Sequence, residues 1–276
     1  MSDAVSRLRI LPVVKKELLV ASLRKGVRLD GRKPEEIRQL SLENGVITKA
    51  EGSSIARLGD TKVIAGVKLS IGNPFSDTPD EGVLIVNAEL SPLASPLFEP
   101  GPPGEEDIEL ARVIDRGLRS AGVIELSKLA IIPGSKVWSV FIDIYPLDHA
   151  GNILDAAGLA AMSALLNAKI PKTNVENGRI SILDEKIPLP VKSRVVFVTV
   201  AKIGEYLVVD PSLEEEIASD TKITFSITED GKICAIQKSG EGSLKPSELL
   251  KARDLALEAA KKLFPLLPPL PVQQSA

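Results

Sequence analysis

Twice along this 276-residue chain, several short runs rich in β-branched residues come first and a helix-forming segment follows. The first cycle has strand-like runs at 40–48, 54–58, 62–71 and 82–90, then a proline-rich loop over 91–106. A helical segment near 108–121, a strand over 136–145 and a second helical segment over 155–168 complete it. The second cycle is shorter, with strands at 194–202, 205–209, 221–228 and 232–238 and a helix over 247–263. Strands grouped ahead of helices point to an α+β chain. The architecture this predicts is two lobes of mixed or antiparallel sheet with packed helices, at 28–190 and 191–263, the first four strands forming an antiparallel sheet. An N-terminal helical extension (1–27) precedes them, its helix running over 12–25 from Pro12 and ending before Gly26, with Val14, Leu18, Leu19 and Leu23 as the apolar stripe. A proline-rich tail (264–276) follows, whose prolines forbid a helix while its leucines invite docking on a neighbouring surface.

Hydrophobic residues make up 44% of the chain but aromatics only 3%, so the cores must be filled by Val, Ile, Leu and Ala. The dense Ala, Gly and Leu content of 155–168 suits a helix pressed against a sheet. A net charge of −3 excludes a protein that coats nucleic acid by bulk attraction, so any polyanion contact must be local. The single cysteine, Cys234, forms no internal disulfide and reads as a buried, inert thiol. With no apolar run of about 20 residues and a polar N-terminus, the expectation is a soluble, cytoplasmic protein with no membrane contact.

Arg112, Arg116 and Arg119 recur at i, i+4 and i+7 on the helix after the proline loop and so project from one face. A row of guanidinium groups can grip successive phosphates of an RNA backbone. Spacing alone favours a competing arrangement, solvated ion pairs with Glu109 and Asp115. Asp210 and Glu216 follow a strand end, where two acids can hold a metal or work as acid and base. Ser212 and Glu215 between them also read as a capping box for a short helix. His149 lies in the turn Asp148-His149-Ala150-Gly151-Asn152, where a histidine is usually solvated. There is no cysteine cluster, no histidine pair and no glycine-rich phosphate loop, so neither a metal site nor a cofactor is expected.

Arg28-Leu29-Asp30-Gly31-Arg32 with Pro34 and Arg38, Gly52-Ser53-Ser54 and Gly59-Asp60-Thr61-Lys62-Val63 together resemble the opening signature and first hairpin of the RNase PH family. The run from Ile108 to Arg116, and Asp148 through Gly151-Asn152 to Asp155-Ala156-Ala157, resemble its branch of non-catalytic subunits in the archaeal exosome ring. The resemblance implies an RNase PH-like fold of the ribosomal protein S5 domain 2-like type. It also implies a place in a ring of three heterodimers that alternates with a catalytic sister subunit and holds single-stranded RNA, with RNA-binding cap proteins as further partners and no DNA. Arg112, Arg116 and Arg119 would be the RNA-binding residues. Three departures from active members imply that this chain is not an enzyme by itself. Glu105 and Glu106 stand where active members carry arginines. Gly151-Asn152-Ile153-Leu154-Asp155 lacks the phosphate-binding arginine. Of the paired acids, Asp210 is kept and the second is Glu216. The alternative is that the chain is itself a phosphate-dependent 3′–5′ exoribonuclease using Asp210 and Glu216; a small-molecule enzyme on a related scaffold ranks below both.

Overall fold

The computed structural model describes residues 16–272. In the first sheet, β1 (Leu40–Asn44), β2 (Gly52–Leu58) and β3 (Thr61–Gly72) are successive antiparallel neighbours. Leu58 pairs with Thr61 across a two-residue turn, and Gly59 takes the positive φ of 58° that opens it. Period-two alternation puts Val63, Ala65 and Val67 in the core. β6 (Lys136–Asp148) lies against β3, and β4 (Val83–Ala88) lies on the far side of β6 and runs parallel to it, Val83 opposite Ser139 and Ala88 opposite Ile144. The sheet is therefore mixed, and the expectation that its first four strands are antiparallel neighbours fails at β4. That pairing is set by a strand some fifty residues later, which no local pattern reports. A short β5 (Ala130–Ile132) also pairs with β6.

The second sheet is antiparallel throughout, in the order β10 (Tyr206–Val209), β9 (Val195–Ile203), β11 (Thr221–Thr228), β12 (Ile233–Ser239). Between the sheets lie α2 (Glu105–Ser120), which packs on β4 and reaches β9 and β12, and α3 (Ile153–Asn167), which packs on β2 and β3 on one side and β9 on the other. α5 (Pro246–Leu263) covers the outer face of the second sheet through Ala252, Ala256, Ala259 and Ala260. β9 is thus covered on both faces. Phe197 and Thr199 turn to the inner helices, while Lys202, of opposite parity, pairs with Glu248 of α5 at 2.7 Å.

The aromatic-poor core is organised around Phe197, which is fully buried. A Cβ built on Gly117 of α2 would lie 2.5 Å from its ring, and one on Gly158 of α3 closer still. Two glycines on two helices therefore form the slot that receives one ring, and a single hydrophobic cluster runs from the first sheet through both helices to the second.

Residues 16–23 form the described part of the N-terminal helix, α1. Leu19 and Leu23 are buried against Ala201, Ile203, Val208 and Ala218, so α1 docks on the second sheet. Val14 lies outside the described residues. Leu18 corrects the predicted stripe: it is 58% exposed, because Leu19 and Leu23 at i and i+4 define the seam and Val20 flanks it. The hairpin of β7 (Lys169–Glu176) and β8 (Arg179–Pro188) was not predicted, and α4 (Leu213–Ala218) begins at the foreseen Ser212 capping box. At the start of the proline-rich tail, Phe264 and Leu267 are buried in this chain's own core, and Arg194 Nη1 donates to the Pro268 carbonyl at 3.1 Å. Cys234 is half-buried rather than interior; its Sγ lies 3.3 Å from the Ser226 carbonyl, and burial pushes the thiol pKa up.

Gly158→Ala is expected to cost about 1–3 kcal/mol through overpacking against Phe197. Adding Phe197→Leu should cost less in that background than in the wild type. Denaturant titration of the four variants reads the coupling, and strictly additive losses would reject the slot.

Candidate functional site

The segment that follows α1 sends three arginines inward. Arg28 is 1% exposed, and its guanidinium is saturated. Nε donates to Glu215 Oε1 at 2.8 Å and Nη2 to the other carboxylate oxygen, while Nη1 and Nη2 donate to the carbonyls of Val209 and Asp210, both at 2.7 Å. Arg38 donates to Asp210 from Nε (2.9 Å), Nη2 (2.7 Å) and its own backbone N–H (2.9 Å), and reaches the carbonyls of Ala150 and Gly151. Arg32 Nη1 adds a fourth donor at 3.0 Å, and Asn152 Nδ2 a fifth at 2.8 Å. The same Asn152 amide donates to Asp155, whose carboxylate also accepts from the Thr199 backbone and hydroxyl.

Three distant pieces of chain are tied here: the segment before β1, the β6–α3 turn and the end of β10. Burial works to raise the Asp210 pKa, but the hydrogen bonds and charge of Arg38, with Asn152, outweigh it and hold the carboxyl below its ordinary value. Asp155 makes no ion pair among the described residues; burial prevails over its hydrogen bonds from Thr199 and Asn152 and pushes its pKa up to about 7.

Beside this knot opens a cleft of about 510 Å³. Its walls include Phe98, Leu110, Leu213 and Ile217, and its charged lining is Glu106, Glu109, Glu216 and Lys222. Glu216 accepts from Lys222 Nζ and, at 3.0 Å, from the Asn152 backbone N–H. The two acids singled out in the sequence are therefore not brought together for joint chemistry. Asp210 is interior, with both oxygens occupied by donors, and only Glu216 borders the cleft. Glu106 lines the cleft and Glu105 does not. His149 corrects the expectation of a solvated turn residue: it is half-buried and stacks on Phe98, ring centroids 5.4 Å apart at 20°. Burial lowers its pKa, which leaves the imidazole neutral near pH 7. The cleft thus sets three carboxylates against one lysine that is already paired, the opposite of the fixed positive charge that would bring phosphate to an RNA phosphodiester.

The arginine row divides. Arg119 Nε donates to Asp115 Oδ1 at 2.9 Å and to Oδ2 at 3.0 Å, and its Nη2 donates to the Leu84 carbonyl on β4, so the ion-pair arrangement holds for this residue. Arg112 and Arg116 are exposed and have no ion-pair or hydrogen-bond partner among the described residues. They line a groove of about 210 Å³ between α2 and β12, with Gln237 and Ile236 on the opposite side. Sequence reasoning gave no role to Arg28, Arg32, Arg38, Asn152, Asp155 or Thr199. The signals were the family signature containing the three arginines and the run from Asp148 to Ala157 containing Asn152 and Asp155; Thr199 had none. Among the described residues, no cluster of three or more His, Cys, Asp or Glu side chains could hold a metal ion, and no helix is long and apolar enough to cross a membrane.

The two buried acids give opposite pH dependences. Between about pH 4 and pH 7 the folded chain keeps the Asp155 proton that the unfolded chain has lost, so this residue's contribution to stability falls as pH rises through that window. Asp210 contributes above its unfolded pKa, and the contribution is lost as pH falls through its lower folded value. Asp155→Asn should remove the first decline, read as denaturation midpoints across that window; an unaltered slope would refute the assignment. Asp210→Asn is expected to cost about 3–5 kcal/mol, because Arg38 and Arg32 lose a buried counter-charge.

Residues 36–171 match the 3′ exoribonuclease family, domain 1 (RNase PH), and residues 193–259 match domain 2 of the same family. The exosome complex component Rrp42 of Sulfurisphaera tokodaii is 52% identical over 266 residues, covering 96% of this chain and 97% of that one. The protein of the same name from Methanothermobacter thermautotrophicus is 48% identical over 264 residues, covering 95% and 97%. Among solved structures, the Archaeoglobus fulgidus exosome with RNA bound to the active site superposes with a TM-score of 0.86 at 47% identity, covering 93% of this chain and 98% of that one. An archaeal exosome core gives 0.81 at 42% identity, covering 92% and 96%. With both family domains matched in order and near-full-length relatives at about half identity, this chain belongs to the RNase PH family of 3′ exoribonucleases.

Proposed function

We propose that this chain is a non-catalytic subunit of a phosphorolytic 3′–5′ exoribonuclease ring. It alternates with a catalytic RNase PH-like sister subunit as three heterodimers, structures the sister's active site and helps hold single-stranded RNA in the cytoplasm. RNA-binding cap proteins are its expected further partners. The observation that carries this reading is the state of Asp210. The acid that the resemblance assigns to catalysis is enclosed by five donors from Arg38, Arg32 and Asn152, and the cleft beside it is lined by Glu106, Glu109 and Glu216. Two arginines with no partner among the described residues, on an open groove, support the RNA role, and the relatives' name, exosome complex component, supports membership of a multi-subunit assembly. Phosphate contacts hold a strand without reading its bases, so no sequence preference is expected.

The isolated chain, given inorganic phosphate and a tailed RNA, should release no nucleoside diphosphates, and activity should return when the sister subunit is added. Release by the isolated chain would establish the alternative, an enzyme active through Asp210 and Glu216. Each phosphate contact on a single strand contributes roughly 0.7 to the slope of log affinity against log salt. Arg112→Ala with Arg116→Ala should therefore weaken RNA binding and flatten that slope by about 1.4. Arg119→Ala should leave the slope unchanged, because its guanidinium already serves Asp115 and Leu84.

A further inference from the structure

Glu109 stands where two clefts of opposite charge meet. It lines both the acidic cleft that ends at Glu216 and the groove that holds Arg112 and Arg116. Helix spacing puts Glu109 one turn from Arg112, the distance at which such residues commonly pair. The structure has no such pair. The Glu109 carboxylate is drawn across to β12, where Oε1 accepts from the Ser239 hydroxyl and, at 3.2 Å, from Gln237 Nε2. Its negative charge is thereby fixed at the boundary and Arg112 is left unneutralised. One turn earlier, Glu106 lines the acidic cleft with no hydrogen-bond or ion-pair partner among the described residues. On the basic side, the groove wall facing the arginines carries no charge: it is Ser226, Ala235, Ile236 and Gln237, with Ile236 half-exposed.

We infer that Glu109, backed by Glu106, is a charge boundary that confines a bound RNA strand to the α2–β12 groove and keeps its phosphates out of the acidic cleft. This rests on the proposal that Arg112 and Arg116 bind RNA. A phosphodiester moving from groove to cleft leaves two open guanidinium groups and approaches three carboxylates, of which only Glu216 has a lysine beside it. Unit charges about 7 Å apart in water alter a population by about threefold, and the effect fades over a Debye length of about 10 Å at 0.1 M salt. The boundary is therefore local and salt-sensitive. Ser239 and Gln237 are its positioning residues, because they hold the carboxylate away from Arg112.

The test uses the full chain and an oligouridylate carrying photoreactive 4-thiouridine, with crosslinked residues mapped by mass spectrometry. In the wild type, crosslinks should fall on the Arg112, Arg116, Ile236 and Gln237 side. Glu106→Gln with Glu109→Gln keeps side-chain size and one accepting oxygen on each side chain while removing the charge. This variant should bind about threefold tighter per carboxylate at low salt, lose that gain at high salt, and add crosslinks at Phe98 and His149 in the cleft. Ser239→Ala, which leaves the groove wall intact, should weaken binding by loosening Glu109 toward Arg112, and should have no such effect in a Glu109→Gln background. If the double glutamine variant keeps the wild-type crosslinks and affinity while Arg112→Ala with Arg116→Ala still weakens binding and flattens its salt slope, the boundary is overturned and the RNA reading stands. If the arginine variant binds as the wild type does, the RNA reading itself has failed, however the glutamates behave.

Discussion

Asp210 and the arginines around it are the constraint on which the rest of the arrangement depends. A carboxylate taken out of water costs several kcal/mol unless its charge and lone pairs are met, and here five hydrogen bonds meet them. The donors come from two loops, and Arg28 extends the same knot to Glu215 and to the carbonyl of Asp210 itself. Asp210 holds a left-handed backbone (φ 49°), a conformation that persists only where the surroundings over-determine it. The end of β10, the β6–α3 turn and the segment before β1 are thus fixed relative to one another. Of these pieces the β6–α3 turn borders the cleft, through His149 and Asn152, so that edge of the cleft is held by the same knot.

Packing between the two sheets follows from the same economy of side-chain volume. With so few aromatics, close approach must come from small residues, and α3 supplies them on all sides: Ala156, Ala157, Ala160, Ala161 and Ala164 are fully buried. A helix buried all round has no polar face, whereas α2 has one. Leu110, Ile114 and Leu118 hold α2 to the core while Glu106, Glu109, Arg112 and Arg116 stay exposed.

Much of this was legible in the sequence. The strands of the second sheet were read to within about two residues, because each carries a strong β-branched pattern bounded by turn residues. The β7–β8 hairpin was not read, because most of its residues are exposed on both faces and no alternation marks it. Arg28, Arg32 and Arg38 gave no local hint of burial, since Asp210 and Glu215 are more than 170 residues away in the chain. The arginine row shows the limit most clearly. Spacing put Arg112, Arg116 and Arg119 on one helix face, but which of them is free depends on where Asp115 and Glu109 turn, and that is set by β4 and β12 rather than by the helix.

The first turn of α2 shows how one set of residues can serve the fold and close a site. A helix N-terminus, with its unpaired N–H groups and positive dipole end, is a ready place for a phosphate. In this chain that end is filled by its own acids. Asp107 accepts from the backbone N–H of Gly104 at 2.8 Å and of Leu90 at 2.5 Å, and Glu105 and Glu106 add two more negative charges to the same turn. Carboxylates there stabilise the helix by complementing its dipole, and they do so by taking the position and the field that an anionic ligand would need. The exposed cations of this helix lie about two turns further along, at Arg112 and Arg116, which have no acid partner among the described residues. The change of sign along one face of α2, from Glu106 and Glu109 to Arg112 and Arg116, is the physical basis of the charge boundary proposed beside the acidic cleft.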